Sequence, residues 1–544
     1  MFRRYLPLIL IVLLPSVAFS QSKDEKIFER QSIKKIRKTI ASLSEKGYVP
    51  MEVAVASNGR KATFSARLVR PKKPFPWVAE FEISDDKFEE RFQSNRAKQL
   101  RLVAHEEYEL KKTKHHACIW HFDADLAVLS PEETKATAKR PKPQPLDIIW
   151  QPESKVPSVG TQGGDFEQFE NRTVEYMRAN QIPALSVALV VRGKPVYEAA
   201  FGYGDLERKI KAKPGVAFGT GWFSRLITVI AVLQLAEKGK LNLDQPAFPL
   251  VGIEPWREST EDQRLNKITI RQLLQETGGH DPELTTEPGF NPRFITKKMG
   301  LKSTVNSQQL IQYMMSQPLS YEPGTKRVSS AYSALVLAKV IEKVSGVSYE
   351  DYILANIKKP LKLKTLVMQE TAPDARPDNC LCHYQRGGGF YSKLAGENLG
   401  SWVQLTEGGI DFRLVHASHG WTASPMDLLT IGRALQADPS PLLSRHSKKI
   451  LVAMPEHVRN NPESDKRKVW LTMGGLRVQK SKKGMDFWMT SRGTCSTASV
   501  VCFASENSRC FTMNCSATIG GRDPDEAYRP IINQGLSAAI KMFK

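Results

Sequence analysis

The sequence predicts an α+β protein, and three stretches of it indicate this class. Residues 33–125 contain a repeated unit that reads as one helix followed by two strands. The second half of residues 218–246, "FGTGWFSRLITVIAVLQLAEKGKLNLDQP", runs as an amphipathic helix that closes with Gly-Lys-Leu and then a Leu-Asp-x-Pro turn. The Glu-Asn-Ser stretch at 506–508 is typical of a hairpin turn between two strands. With 544 residues, 41% of them hydrophobic, the chain is long enough for two or three domains with full cores.

The first twenty residues predict export. "MFRRYLPLILIVLLPSVAFS" has two arginines near its start, an apolar core from Leu6 to Leu14 and a small-residue end at Ser20. The core is too short for a stable membrane span, and no cysteine follows the expected cut to carry a lipid anchor. We therefore expect residues 1–20 to be a signal peptide that is cleaved near Ser20. The mature chain is then periplasmic or extracellular, with no transmembrane segment.

A tandem-repeat module is predicted for residues 21–125. "KGYVPMEVAVASNGRKATFSARLV" (46–69) matches "KQLRLVAHEEYELKKTKHHACIWH" (98–121) at an offset of 52. Ile36 and Ile40 precede the first copy with the spacing of one helix face, and two phenylalanines precede the second in the same way. Each unit is thus expected to form a helix, a strand, a turn and a second strand, and to bury its apolar face against its neighbour.

Two clusters of histidine and cysteine raise the question of a metal. His115, His116, Cys118 and His121 lie in the second repeat, but alternate residues of a strand face opposite ways, so the four cannot converge on one ion. The Cys-Leu-Cys-His run at 380–383 is an equally weak signal. The sequence predicts neither a metal nor a cofactor.

The chain has seven cysteines, and export permits disulfides. Cys502 with Cys510, and Cys495 with Cys515, stand at nearly equal distances on either side of the expected 506–508 turn. We expect cross-strand disulfides for these two pairs, and four buried free thiols are the alternative.

The formal net charge is +21, with lysine and arginine spread in short runs. A solvated basic surface is the simplest interpretation, and attraction to anionic wall polymers or lipid headgroups is the more specific one. No nucleic-acid-binding motif is present. Residues 126–164 are rich in proline and lysine and predict a linker, which leaves 165–544 as one large domain.

Four stretches of this domain resemble the penicillin-binding-protein and β-lactamase-related serine hydrolases, of the class C β-lactamase type. They are "ALSVALVVRGKPVYEAAFGYGD" (184–205), "ITIRQLLQETGG" (268–279), "EPGTKRVSSAYSALVLAKVIEKVSGVSYEDYI" (322–353) and "HGWTASPMDLLTIGRAL" (419–435). The resemblance implies an antiparallel sheet flanked by helices plus a helical subdomain. Repeats ahead of such a domain are similar to the arrangement in polyglycine hydrolases.

The family's chemistry starts from Ser-x-x-Lys at a helix start, where the lysine takes the proton of the nucleophilic serine. Ungapped alignment of residues 218–246 places Trp222 at the serine and Arg225 at the lysine. Tryptophan is no nucleophile, and arginine stays protonated at any working pH. Ser224 is two positions away, on another face, with no lysine three residues on.

The other two family motifs are also missing. Ser329 and Ala331 stand at the tyrosine and asparagine positions of Tyr-x-Asn. The region that matches the Lys-Thr-Gly or His-x-Gly strand is "FWMTSRGTCST" (487–497), which has neither lysine nor histidine. Ser491 and Arg492 in that stretch are pocket candidates, because an arginine there could bind an anion.

Two histidines remain as pocket candidates. His280, which is followed by Asp281, and His419 lie near the position at which the family has its pocket. With a serine such as Ser329 they could form a catalytic dyad, and a structural or solvated histidine is the alternative.

Loss of all three motifs favours an exported homologue without catalytic activity, a pseudoenzyme that binds or scaffolds peptides or anionic cell-wall polymer. The alternative is an active peptidase, esterase or amidase with a different nucleophile, and a metal or redox role through the Cys/His clusters is a third. In the first case Trp222 should fill much of the acyl pocket. Arg225 should then have a carboxylate or a bound anion beside it.

The export signal gives a direct prediction. Amino-terminal sequencing of the mature protein should start at Gln21, because cleavage after Ser20 removes the whole apolar segment. Recovery of Met1 from a fractionated cell would contradict it.

Overall fold

The chain folds as two compact units, residues 1–138 and 139–544, and the division lies inside the segment predicted as a linker. The computed structural model describes residues 25–70, 77–88, 91, 100–122, 156–161, 163–180, 182–206, 209–256, 262–281, 287–301, 303–371, 390–392, 402–404, 408–460, 469–481, 484–490, 497–502, 510–515 and 524–541. The following predicted features lie outside these ranges: the signal peptide, Gln21, the 380–383 run, Ser491, Arg492, Cys495 and the 506–508 turn.

The first unit contains two three-stranded antiparallel sheets that repeat one plan. The first copy consists of β1 (Glu25–Gln31), α1 (Ile33–Ser44), β2 (Val49–Ser57) and β3 (Ala62–Val69), in sheet order β1-β3-β2. The second consists of β4 (Trp77–Ser84), β5 (Leu100–Leu110) and β6 (Thr113–Phe122), in order β4-β6-β5. The sequence analysis missed the leading strand of each copy, because β1 and β4 share little sequence at the offset of 52.

One core serves both copies of the repeat. Ile36 and Ile40 of α1 are buried in it, and Phe64 of the first copy packs edge-on against Phe81 and Tyr108 of the second, at ring-centroid distances of 5.4 and 5.7 Å. Two copies therefore bury their apolar faces together, as expected of repeats that cannot do so alone.

The His/Cys cluster of the second copy follows strand alternation. His116 and Cys118 are both buried, and His116 Nε2 lies 2.9 Å from the Asp85 carboxylate while its ring stacks on Phe88. Burial raises the pKa of the Cys118 thiol far above its ordinary range, so this thiol is unreactive. Across the described residues, no three His, Cys, Asp or Glu side chains are arranged to hold a metal ion.

The second unit is built on a nine-stranded antiparallel sheet. Its order is β10-β9-β8-β20-β19-β18-β17-β16, with β7 paired to β9. These strands are β7 (Ser158–Gly160), β8 (Ala184–Val191), β9 (Lys194–Asp205), β10 (Ile210–Lys211), β16 (Val469–Leu471), β17 (Arg477–Ser481), β18 (Gly484–Thr490), β19 (Thr497–Cys502) and β20 (Cys510–Cys515). Arg192 and Gly193 join β8 to β9 and both have positive φ, as a two-residue type I′ hairpin requires.

Helices and short strands cover this sheet and form a second region beside it. The helices are α2 (Glu167–Ala179), α3 (Phe223–Glu237), α4 (Ala247–Val251), α5 (Ile270–Leu274), α6 (Pro292–Lys298), α7 (Ser307–Met315), α8 (Ala331–Ser345), α9 (Tyr349–Ile353), α10 (Phe412–His419), α11 (Pro425–Gln436), α12 (Arg445–Val452), α13 (Glu456–Arg459) and α14 (Pro524–Lys541). The short strands are β11 (Phe218–Gly219), β12 (Val367–Met368), β13 (Phe390–Ser392), β14 (Trp402–Gln404) and β15 (Trp421–Ala423), with the order β11-β15-β12 in one sheet and β13-β14 in another.

Both faces of the large sheet are covered. Residues Leu185, Val187 and Leu189 of β8 pack with α2 and α14, whereas Ala188 and Val190 of the same strand join the core that contains α11. The alternation along β8 therefore serves two layers of helices, so every residue of the strand is buried. The predicted α+β class, with helices flanking an antiparallel sheet, is confirmed.

Helix α3 is the centre of the second region and differs from the expectation. All residues from Phe223 to Leu235 are buried, so the helix is enclosed rather than amphipathic. Two of its polar side chains have partners inside the protein: Thr228 Oγ1 lies 2.8 Å from both the Tyr349 hydroxyl and the Ala417 carbonyl oxygen, and Gln234 donates to the Leu442 carbonyl. The prediction of an amphipathic helix was wrong because these polar positions face buried partners instead of water.

The cysteine pairs are described only in part. Strands β19 and β20 place Cys502 directly opposite Cys510, and the same register places Cys515 opposite Thr497. The disulfides remain predictions. Among the described helices, none is both long enough and apolar enough to cross a membrane.

Candidate functional site

The site lies where five segments meet at the start of α3. These are the residues before and within the first turn of α3, the turn that follows α5, the segments that lead into α8, the carboxyl end of α10 and the 3₁₀ turn Met473–Gly475. The N-cap and first turn of α3 contribute Trp222 and Arg225, which the sequence alignment predicts to stand at the family's serine and lysine positions.

Trp222 is part-buried and lies among aromatic rings. Its ring centroid is 6.4 Å from that of His419, and the two planes are nearly perpendicular at 79°. The Phe290 ring also packs edge-on against His419, at a ring-centroid distance of 5.2 Å. The Arg225 guanidinium carbon is 5.0 Å from the centroid of the Trp222 ring. Trp222 therefore gives the site an aromatic wall with a cation against it and supplies no attacking group.

Arg225 forms an ion pair with a carboxylate that the sequence analysis did not name. Its Nη1 donates to Glu276 Oε1, and Arg327 Nη2 donates to the other oxygen of the same carboxylate. The side chains of Arg225 and Glu276 are 5% and 3% exposed, whereas that of Arg327 is 21% exposed. Glu276 thus bridges two arginines, and it is the carboxylate that the sequence analysis expected beside Arg225. We call these three residues the Arg–Glu–Arg cluster.

The backbone around the cluster is arranged for close approach. Glu276 has φ +58°, a left-handed conformation that is costly for a residue with a side chain and is held here by the hydrogen bond from Val328 N to its carbonyl. Gly475 has φ +79°, and a Cβ there would lie 3.2 Å from Arg327 Nη2. The turn must therefore carry glycine for Arg327 and Glu276 to meet beside it.

Ser329 is hydrogen-bonded to the Arg–Glu–Arg cluster and has no histidine as a hydrogen-bond partner in the described structure. Its hydroxyl donates to Glu276 Oε1 at 3.2 Å and accepts from Arg225 Nη1. Both oxygens of that carboxylate are already bound to arginines. The serine that the sequence offered for a dyad is thus part of an ion-pair network.

The backbone of Ala331, at the asparagine position, is bound to a second acid that the sequence analysis missed. Ala331 N–H donates to Glu287 Oε2 at 3.1 Å at the start of α8. Burial raises the pKa of Glu287 to about 7, while the Ala331 N–H and the charge of Arg225 oppose that rise. Glu287 is therefore a part-buried acid whose charge changes near neutral pH.

His419 is the histidine nearest to the site. Ser418 donates its hydroxyl proton to the Val415 carbonyl at 3.1 Å, so the 2.8 Å contact between Ser418 Oγ and His419 Nδ1 has the histidine as donor. Burial, with the Arg225 charge as the second cause, holds the pKa of His419 well below its ordinary value. The ring is thus neutral with its lone pair on Nε2, and it is a weak base.

His280 and Asp281 have other partners. The His280 ring lies 5.0 Å from that of Tyr332, and burial lowers the pKa of His280 to about 4. Asp281 accepts a hydrogen bond from the Tyr321 hydroxyl at 2.8 Å, and Lys326 Nζ lies 3.9 Å from it. Neither residue is brought to Ser329 by these contacts.

Ser224, the serine closest to the family position, is a structural residue. It is fully buried, its Oγ lies 2.9 Å from Thr220 Oγ1, and it accepts from Trp421 N at 3.2 Å. These hydrogen bonds connect the start of α3 to β15. A substrate therefore has no access to Ser224.

Comparisons with known proteins agree with this architecture. The sequence profile of the β-lactamase family matches residues 169–533, which is more than half of the chain. The chain belongs to the β-lactamase family. The profile of the polyglycine hydrolase-like structural repeat matches residues 76–123, the second copy of the module. Both resemblances noted in the sequence are confirmed.

Relatives of the β-lactamase-family domain are distant. Protein flp of Staphylococcus aureus is 27% identical over 215 residues, 39% of this chain and 41% of its own length. The mitochondrial serine β-lactamase-like protein LACTB of Mus musculus is 24% identical over 249 residues, 35% of this chain and 45% of its own. The alignments thus span less than half of the curated relatives.

Solved structures share the fold at low identity. The octameric penicillin-binding protein homologue of Pyrococcus abyssi superposes with a TM-score of 0.51 and 20% identity over 68% of this chain and 78% of its own. The D-stereospecific amidohydrolase of a Streptomyces species gives 0.50 and 19% over 67% and 97%. At this identity the likeness establishes the fold of the domain.

Replacement of Glu276 by Gln should destabilise the protein by about 3 kcal/mol, because it leaves the largely buried Arg225 and Arg327 without an anionic partner. The free energy of unfolding from urea denaturation measures this. The matched control is Glu322→Gln, which removes a carboxylate that is 64% exposed beside Arg264 and should cost less than about 1 kcal/mol. Equal costs for both variants would contradict a structural role for the cluster.

Glu287→Gln should change how stability depends on pH. The raised pKa of Glu287 means that the folded state retains the proton, so this stabilisation is present below its ordinary pKa near 4.5 and is lost as pH rises through about 7. Stability of the wild type relative to Glu287→Gln should therefore fall across that interval by about 3 kcal/mol. Urea denaturation at several pH values measures the difference, and a constant difference would rule out the shifted pKa.

Proposed function

We propose that this protein is an exported member of the β-lactamase family that acts by binding rather than by acyl transfer. The observation that carries the proposal is the ion pair between Arg225, at the position of the family's lysine base, and Glu276. Arginine paired with a carboxylate stays charged, so it cannot accept the proton of an attacking hydroxyl.

Two further features support the proposal. Trp222 stands at the position of the nucleophile, and its indole packs against Arg225 and His419 without offering a reactive atom. Ser329, at the position of the family's proton shuttle, has its hydroxyl bound to Arg225 and Glu276. Ala331, at the position of the family's amide, has a methyl group as its side chain. The nucleophile, the base and the shuttle are thus all replaced.

The partner that we propose is a peptide or an anionic cell-wall polymer. The net charge of +21 favours an anionic partner through long-range attraction. The amino-terminal segment supports a periplasmic or extracellular location, where such polymers occur. Relatives in this fold include a D-stereospecific amidohydrolase, so a peptide-like ligand is consistent with a binding domain derived from the same architecture.

Acyl labelling tests the absence of family chemistry. Intact-mass analysis after incubation with a penicillin or a fluorophosphonate probe should show no adduct, and a chromogenic β-lactam should not be turned over, because both the nucleophile and the base are missing. Trp222→Ser should not restore labelling, since Arg225, Ser329 and Ala331 still lack the proton-transfer groups.

A stoichiometric adduct on any serine of residues 165–544 would overturn the proposal and favour a hydrolase with a different nucleophile. Ser329→Ala then identifies the reacting residue, because loss of the adduct in this variant assigns it to Ser329. Heat-denatured protein serves as the control for non-specific modification.

A further inference from the structure

The first helix of the repeat module has a cationic outer face. Ile36 and Ile40 of α1 are buried in the core of the first unit. Since successive residues of an α-helix are about 100° apart, Lys34, Lys35 and Lys38 fall on the side of α1 that is turned away from these two isoleucines. All three lysines are exposed. We call them the α1 lysine face.

The arrangement of these charges is unfavourable for the helix itself. Lys34 and Lys35 lie in the first turn of α1, where the positive end of the helix dipole repels cations, and this turn contains no acidic residue. Lys38 is four residues from Lys34 and three from Lys35, so both pairs are like-charge neighbours on the helix surface. No acid stands three or four residues from any of the three. The α1 lysine face therefore costs stability.

The repeat does not require cations at these positions. Strands β2 and β3 of the first copy pair in the same register as β5 and β6 of the second, at the offset of 52 that relates the two sequences. At this offset Asp86 and Glu90 correspond to Lys34 and Lys38. The repeat sequence thus accepts the opposite charge at two of the three positions. A local arrangement that costs stability without a structural gain is the pattern expected of a functional surface.

The spacing of the three lysines suits a linear chain of anions. Side chains three or four residues apart on a helix have Cβ atoms about 5–6 Å apart, so Lys38 is close to both Lys34 and Lys35. Lysine binds phosphate or carboxylate as a flexible point charge and imposes no bidentate geometry. Successive anionic groups of one polymer chain can therefore contact all three lysines together.

An anionic membrane fits this surface less well. A helix that lies on a membrane inserts an apolar face between the lipids. The apolar face of α1 is already buried in the core through Ile36 and Ile40. None of the large hydrophobic side chains that are exposed in the described parts of the chain lies on α1. The helix thus offers charge to a partner and has nothing to insert.

We propose that the α1 lysine face binds a linear polyanion that carries phosphate or carboxylate groups at regular intervals. The inference rests on the proposed function for the kind of partner, an anionic polymer, and assigns the binding of that polymer to the repeat module. The bound anions offset the repulsion among the three lysines and the unfavourable charge at the start of α1.

Binding of two fluorescently labelled polymers to the full chain tests the proposal. The probes are inorganic polyphosphate and poly-L-glutamate. Lys34→Gln, Lys35→Gln and Lys38→Gln combined should weaken binding by about tenfold or more, because each lysine near an anionic surface contributes a several-fold factor. The slope of log affinity against log salt concentration should also decrease by about 2, which is about 0.7 for each lost contact. Binding of either polymer supports the proposal and identifies the anionic group, and binding of neither overturns it.

Two further triple variants separate the α1 lysine face from the general charge of the protein. Replacement of the same three lysines by Arg keeps the charge and should retain binding. The matched control replaces three exposed lysines of the second unit by Gln, with the same change in net charge: Lys240, Lys343 and Lys359. It should bind as the wild type does. An equal loss in the control and in the α1 variant would overturn the proposal.

Thermal unfolding and vesicle binding complete the test. Tm of the α1 Gln variant should not fall below that of the wild type, because the substitutions remove repulsion, and a lower Tm would contradict the stability cost on which the inference depends. Binding to vesicles of anionic phospholipid without binding to either polymer would also overturn it. Acyl labelling does not involve α1, so an adduct would contradict the proposed function and leave this result unchanged.

Discussion

The carboxylate of Glu276 holds together three segments that are distant in sequence. It binds Arg225 of α3 through one oxygen and Arg327, in the segment that leads into α8, through the other. Since Arg225 and Glu276 are almost fully buried, removal of the Glu276 carboxylate leaves the charge of Arg225 away from water without its partner, at a cost larger than most single contacts. The left-handed backbone of Glu276 and the glycines of the Met473–Gly475 turn are the local conditions that allow this contact.

The same contact sets the surroundings of the neighbouring polar groups. Ser329 is near an acid, but that acid is already bound by two arginines. His419 is near Trp222, but its burial and the charge of Arg225 keep its basicity low. A catalytic base needs a pKa close to the working pH and a clear path to the proton. Burial raises the pKa of Glu287 to about 7, and its described contact is to the backbone of α8.

The sequence predicted the fold well and the site only in part. Local patterns and motif resemblance were sufficient for the hairpin of β8 and β9 and for the α+β class. They could not identify Glu276 as the partner of Arg225, because the two are 51 residues apart and meet only through tertiary packing. Helix α3 was taken as amphipathic for the same reason: whether a polar side chain such as Thr228 faces water or Tyr349 is decided by distant segments.

The cluster also makes the replaced chemistry hard to restore one residue at a time. Lysine at position 225 would keep the charge but lose the planar guanidinium, whose Nη1 contacts both Glu276 and Ser329 and whose carbon lies 5.0 Å from the Trp222 ring. Serine at position 222 would remove the indole that packs against that guanidinium and open space beside it. Residues in one hydrogen-bonded network have strongly non-additive effects. Because each member is stabilised by the others, we expect single substitutions to reduce stability, and under the proposed function a return to acyl transfer requires simultaneous changes in three segments.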